Sequence, residues 1–304
     1  MNGILPLWKE RGMTSHDCVF KLRKILKTKK VGHTGTLDPA VEGVLPICIG
    51  QATRIAEYLT DAGKTYEAVV SIGRATTTED AEGEVVEENL THKSISRTQL
   101  LEALTQLTGV IEQTPPMYSA VKVNGKRLYE YARKGEVVER PTRKVTIYSL
   151  ELLDEAEQFE GDEVTFKIRI ACSKGTYIRT LAVQIGEKLG YPAHMASLVR
   201  TASGTFTKKE CVTLQQVEEI MNEGKINEVI LPVEYALTNY PFIEIEEYNK
   251  KQILNGQVLP IHALLKENDK IVYSNQGKAY AVYIPHPTKE GYMKPEKMFP
   301  ELTD

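Results

Sequence analysis

Three short stretches hold the residues best suited to chemistry. Residues 31–43 read VGHTGTLDPAVEG, with a single aspartate, Asp38, among Gly32, Gly35, Pro39 and Gly43. Aspartate before proline is common in turns, and composition alone favours that reading. Two details favour a working carboxylate instead. Glycines on both sides let a ligand approach the backbone closely. Leu37 and the following VLPICIG imply partial burial, where a carboxylate needs a cation or several hydrogen bonds. The second stretch, SKGTYIRT (173–180), is either a strand-to-helix turn with Lys174 exposed and Tyr177 in the core, or the source of that cation through Arg179. An arginine fork would hold a carboxylate ionised and oriented. The third, GKTYEA (63–68), places Tyr66 either in ordinary strand packing, which propensity favours, or as a platform for a nucleobase.

Other chemistries lack their residues. The six histidines (16, 33, 92, 194, 262 and 286) show no metal-ligand spacing, and no Ser/His/Asp arrangement follows from them. His33 stands out only by lying in the Asp38 loop; its default reading is a surface or linking histidine. Neither GxxxxGK[ST] nor GxGxxG occurs. The four cysteines form no CxxC pair, so zinc, iron–sulfur and disulfide frameworks are not indicated. The expectation is no metal and a reduced, cytoplasmic protein. The N-terminus lacks a signal-peptide apolar core. No apolar run approaches the roughly 20 residues that cross a bilayer.

The elements that must position these residues follow from periodicity and caps. Thr14 and Ser15 precede Val19, Leu22, Ile25 and Leu26 at helical spacing. Ser96 with Gln99, and Thr213 with Gln216, form capping boxes. Residues 64–73, 144–153 and 164–172 read as strands, the last alternating cleanly. Residues 115–135 read as an extended segment, an Asn124-Gly125 turn and a short helix, and residues 173–190 turn into a helix that should end on Gly190. Beyond Asn239-Tyr240-Pro241 the pattern becomes short strands separated by turns. The prediction is an α+β fold: a mixed, mainly antiparallel sheet with helices over residues 1–237, then a small β-rich module over 238–304. The length of 304 residues suits about two domains.

The net charge of −3 hides two opposed runs. KLRKILKTKK (21–30) carries six basic residues in ten, and EDAEGEVVEE (79–88) six acidic ones. The basic run and ARK (132–134) suit phosphate contacts; the acidic run reads as a solvated face.

Together these stretches resemble the TruB family of tRNA pseudouridine synthases. The resemblance covers GHTGTLDPAVEGVLPICIGQATR (32–54), DAGKTYEAVVSIGRATTTEDAEG (61–83), TPPMYSAVKVNGKRLYEYARKG (114–135), CSKGTYIRTLAVQIG (172–186) and AHMASLVRTASGTF (193–206), in the family's order. The tail resembles a PUA-type RNA-binding domain through NGQVLP, GKAYAVY and YMKPEK. The resemblance implies isomerisation of uridine 55 in the tRNA T-loop, with Asp38 the essential aspartate, Tyr66 the active-site tyrosine and Arg179 the aspartate's partner. It implies that Tyr177 and Leu198 line the uracil pocket, that His33 helps seize the flipped nucleotide, and that Lys64 contacts phosphate. It further implies tRNA (the T-arm) as partner, no cofactor, no membrane, no required protein partner and a monomer. A second reading is an RNA-binding, tRNA-folding protein in which catalysis is secondary. A third, a guide-RNA-dependent subunit, fits the block order and short tail less well.

Overall fold

The computed structural model describes residues 1–299; positions 300–304 of the expected C-terminal module lie outside them. The chain divides into two compact units, one of residues 1–40, 44–60 and the chain from 205, the other of residues 41–43 and 61–204.

In the first unit the strand Val31–His33 pairs antiparallel with Glu42–Ile49, matching His33 to Ile47 and Val31 to Ile49. The strand Gly3–Lys9 flanks Glu42–Ile49 on its other edge. The helix Ser15–Ile25 starts where expected. The Thr14 hydroxyl accepts the Asp17 N–H, and the Asp17 carboxylate accepts the Thr14 N–H. This reciprocal cap satisfies N–H groups that have no partner within the helix. Val19, Leu22 and Leu26 then bury against Leu5, Leu7, Leu45 and Ile47.

The C-terminal module is a five-stranded sheet in the order Phe242–Glu244, Ile271–Asn275, Lys278–Pro285, Tyr292–Met298, Leu259–Pro260. Its pairings are antiparallel except the first, which is parallel. One expectation fails here. Between the first two strands lies a helix, Glu247–Leu254, capped by Glu246 and Asn249. Val272, Ala279, Val282 and Phe299 of this module share a fully buried cluster with Ile4, Val44, Cys48 and Ile55.

In the second unit the strands run in the order Ala193–Ser203, Lys64–Ile72, Val164–Cys172, Arg143–Leu152, Gly109–Gln113, antiparallel throughout. Glu42 and Gly43 add to the outer edge, parallel to Val199 and Arg200. The helix Ile178–Leu189 ends on Gly190 at φ +80°. Asn124 and Gly125, both at positive φ, turn the hairpin that leads into Leu128–Ala132. The fold is therefore α+β with mainly antiparallel sheets, as expected. Among the described residues no helix is long and apolar enough to cross a membrane.

Candidate active site

The Asp38 loop is fastened along its length. Thr34 is buried and donates twice to the Pro46 carbonyl, from its N–H (3.2 Å) and its hydroxyl (3.1 Å). The Gly35 N–H donates to His33 Nδ1 at 3.3 Å. The buried Leu37 donates its N–H to Ser15 Oγ at 2.8 Å. The Pro39 carbonyl accepts from the Gly12 N–H at 2.9 Å and from Lys9 Nζ at 3.4 Å. Lys9 is a fully buried ammonium that also donates to the Glu10 carbonyl. Asp38 sits half-buried between these ties. His33 is half-buried too, and the edge of its ring meets His16 at 6.3 Å between centroids.

The second unit carries the other expected residues. Lys64 and Tyr66 stand two apart on the strand Lys64–Ile72, so they share a face. Tyr66 lies opposite Ile170 on one side and Arg200 on the other, and Leu198 is paired with the next same-face residue, Ala68. Ile170, Ala68, Leu198 and Arg200 are all buried, so the half-buried Tyr66 is flanked on its strand face by enclosed apolar side chains and by the Arg200 cation. Lys64 is buried, and Nζ donates to the Ala62 carbonyl at 2.6 Å. Burial, then the Arg200 charge, pulls its pKa down to about 8.

Tyr177 is the residue before the helix Ile178–Leu189. The buried Gln113 grips its backbone at both ends: Tyr177 N–H donates to Gln113 Oε1 at 2.9 Å, and Gln113 Nε2 donates to the Tyr177 carbonyl at 3.2 Å. Arg179 is buried. Its two terminal nitrogens donate to the Thr78 carbonyl (3.1 Å) and the Tyr118 carbonyl (3.0 Å), and it lies 3.5 Å from Asp80 Oδ2. Thr180 donates its hydroxyl to Glu79 Oε2 at 2.7 Å, while burial raises the Glu79 pKa.

The acidic run thus departs from the solvated face that its composition implies. Glu82, Glu84, Glu87 and Glu88 are exposed, but Glu79 and Asp80 turn inward to the Arg179 helix. A backbone bridge between Asp80 and Met195 holds them there. Sequence reading missed these two carboxylates, and also Ser15 and Gln113. Each acts on a group far away in the chain, so no local pattern marks it.

Two basic surfaces accompany the site residues. On the hairpin and helix of residues 122–134, Lys122, Lys126, Arg127, Arg133 and Lys134 are exposed. The Arg127 and Arg133 guanidinium groups lie 5.8 and 5.2 Å from the Tyr129 ring centre. On the helix Ser15–Ile25, Lys24 Nζ lies 4.4 Å over the exposed Phe20 ring. Cations beside aromatic faces suit a phosphate backbone with unstacked bases. Among the described residues, no group of three or more His, Cys, Asp and Glu side chains is placed to hold a metal ion.

Comparison with known proteins decides the family. Residues 23–178 match the model for the N-terminal domain of TruB family pseudouridylate synthases, and residues 179–238 match the tRNA pseudouridylate synthase B C-terminal domain. The chain belongs to the TruB family. It is 56% identical to tRNA pseudouridine synthase B of Geobacillus thermodenitrificans, over 98% of this chain and 100% of that one. It is likewise 56% identical to the Listeria innocua protein of that name, over 98% of each chain. Among solved structures it resembles a Cbf5-Nop10-Gar1 complex, with a TM-score of 0.72 and 28% identity over 99% of this chain and 86% of that one. An H/ACA RNP bound to a substrate RNA containing 2'-deoxyuridine gives a TM-score of 0.70 and 25% identity, over 98% and 84%. The family and its expected fold therefore agree with the sequence reading.

Proposed function

We propose that this TruB-family pseudouridine synthase isomerises uridine 55 of the tRNA T-loop, with Asp38 as its essential carboxylate. The observation that carries the assignment is the Asp38 loop itself. A half-buried carboxylate lies between two residues whose backbones are held by buried side chains, in a chain that matches tRNA pseudouridine synthases end to end.

The reaction breaks the N1–C1′ bond, turns the uracil, joins C5 to C1′ and moves the C5 proton to solvent while N1 gains one. Reactant and product are isomers, so no co-substrate is consumed. A carboxylate serves this chemistry by bonding to an electrophilic carbon or by stabilising positive charge at C1′. Arg179 keeps that carboxylate ionised; Tyr66 stacks on the uracil and assists removal of the C5 proton. Tyr177 and Leu198 line the base pocket, and His33 takes hold of the flipped nucleotide. Flipping costs a few kcal/mol, offset by stacking and base-edge hydrogen bonds. Lys64 contacts a phosphate of the substrate. The basic surfaces at 21–30 and 122–134 hold phosphates of the T-arm. Residues 1–237 are the catalytic domain, and 238–304 a PUA-like RNA-binding module. The enzyme works as a monomer on bare tRNA in the cytoplasm, with no protein partner.

The test uses a T-arm stem-loop RNA without guide RNA or added protein, with pseudouridine mapped by carbodiimide and primer extension. Wild type converts the target uridine. Asp38→Asn keeps the side-chain size, removes the charge and binds RNA with no product. Product from Asp38→Asn, or none from wild type, refutes the assignment.

A further inference from the structure

We infer that Ser15 is a positioning residue for the catalytic loop, holding the peptide that carries Asp38; the inference rests on the assignment of Asp38 above. Ser15 opens the helix Ser15–Ile25, where a hydroxyl ordinarily serves its own helix. That task already belongs to Thr14. The Ser15 side chain is instead buried and directed across the chain to Leu37. Its Oγ accepts the Leu37 N–H at 2.8 Å and donates to the Leu37 carbonyl at 3.3 Å.

The Leu37 carbonyl belongs to the peptide plane that ends in the Asp38 nitrogen. Fixing that carbonyl fixes the plane from which Asp38 departs. On the other side Pro39 restricts Asp38 to extended backbone, and the Pro39 carbonyl is tied by Gly12 and Lys9. Asp38 is therefore bounded at both ends. The backbone on either side of the carboxylate is thereby held. Without the Ser15 hydroxyl, the buried Leu37 N–H and carbonyl lose a shared partner, and buried amides do not remain unpaired cheaply. The loop then shifts to find new partners and takes Asp38 with it.

Ser15→Ala, Ser15→Cys, Thr14→Ala and Asp38→Asn would be compared with wild type on the same T-arm RNA. Single-turnover rate, RNA dissociation constant and amide exchange over residues 35–41 are read for each. Small displacements of reacting groups cost rate steeply, so Ser15→Ala should lower the single-turnover rate about tenfold or more, with affinity changed less than about twofold. Ser15→Cys, with a weak donor and acceptor of similar size, should fold and fall in between. Both should speed exchange at 35–41. Thr14→Ala, which weakens the same helix without touching the loop, should leave rate and loop exchange near wild type. Ser15 variants that turn over within about twofold of wild type, or a matching rate loss in Thr14→Ala, overturn the inference. An active Asp38→Asn overturns the assignment beneath it, and is distinguished by that variant alone.

Discussion

Lys64 offers a direct measure of how the site wall is built. Its ammonium is buried, tied to the Ala62 carbonyl at 2.6 Å, and its pKa is drawn from an ordinary 10.5 to about 8. Below pH 8 the group is charged whether the chain is folded or not, so folding carries the full burial cost. Between pH 8 and 10.5 the unfolded chain binds more protons than the folded one, and stability rises with pH through that window. Above 10.5 both forms are neutral and the cost is gone. The gap between the two pKa values, at about 1.36 kcal/mol per pH unit, corresponds to about 3 kcal/mol. Lys64→Met removes that cost but also the Ala62 hydrogen bond, worth about 1 kcal/mol. Some solvent screening of the charge lowers the first figure, leaving a net gain of about 1–2 kcal/mol at pH 7. Urea titrations of both proteins at pH 7, 8, 9 and 10.5 give the comparison. Groups that do not interact with Lys64, such as the Cys48 thiol with its pKa raised to about 12, cancel in the difference. The variant's advantage should be largest at pH 7 and shrink as pH rises through 8 to 10.5. Parallel curves, or a variant less stable at pH 7, would refute the reasoning.

Three further changes follow from the geometry. Gly43 adopts φ +138°, and a Cβ there would stand 2.6 Å from the Arg200 nitrogen; Gly43→Ala should cost about 3 kcal/mol or more in a urea titration through strain and overpacking, and a cost below about 1 kcal/mol would contradict the close pairing of Gly43 with Arg200. Arg179 reaches two carbonyls through separate nitrogens, which a lysine cannot reproduce. Arg179→Lys should therefore lower turnover about tenfold or more with little change in RNA affinity, and wild-type kinetics would reject the fork. Burial pushes the thiol of Cys48 up to about 12 and that of Cys172 to about 11, and both are enclosed; the native protein at pH 8 should resist iodoacetamide at both, and fast labelling of either, located by mass spectrometry, would contradict their burial.

The parts of the fold that were legible in the sequence are those set by local physics. Ser96 with Gln99 and Thr213 with Gln216 each close a reciprocal cap within four residues, and Thr14 caps the helix Ser15–Ile25. Asn124-Gly125 and Gly190 take the positive φ that few other residues adopt. The helix Glu247–Leu254 was hidden because its cap is a glutamate and its first turn is polar, while the strands around it dominate the pattern. The inward turn of Glu79 and Asp80 was hidden for a different reason. Their partners, Arg179 and Thr180, lie about a hundred residues on, and only the paired strands bring that distance to a hydrogen bond. The grips of Ser15 on Leu37 and Gln113 on Tyr177 are of this kind as well. Type and setting singled out the candidate residues such as Asp38 and Arg179; the residues that hold their backbones and side chains carry no such mark.

That asymmetry extends to the C-terminal module. Its strands read as a separate element, and a cut after Thr238 looks like a clean way to test RNA binding. Val272, Ala279, Val282 and Phe299, however, are fully buried with Ile4, Val44, Cys48 and Ile55. Burying such side chains contributes about 1.5–3 kcal/mol for each of the larger ones. Arg54 also donates to the Met298 carbonyl at 2.7 Å, and Lys297 pairs with Glu57 at 2.7 Å. The cut would strip apolar cover from the strand that leaves the Asp38 loop, so lost turnover would follow from an opened core whatever the module binds. Charge reversal of Lys250 and Lys251, on the surface of the helix Glu247–Leu254, leaves that core intact. A weaker RNA dissociation constant with an unchanged single-turnover rate is then a statement about binding alone.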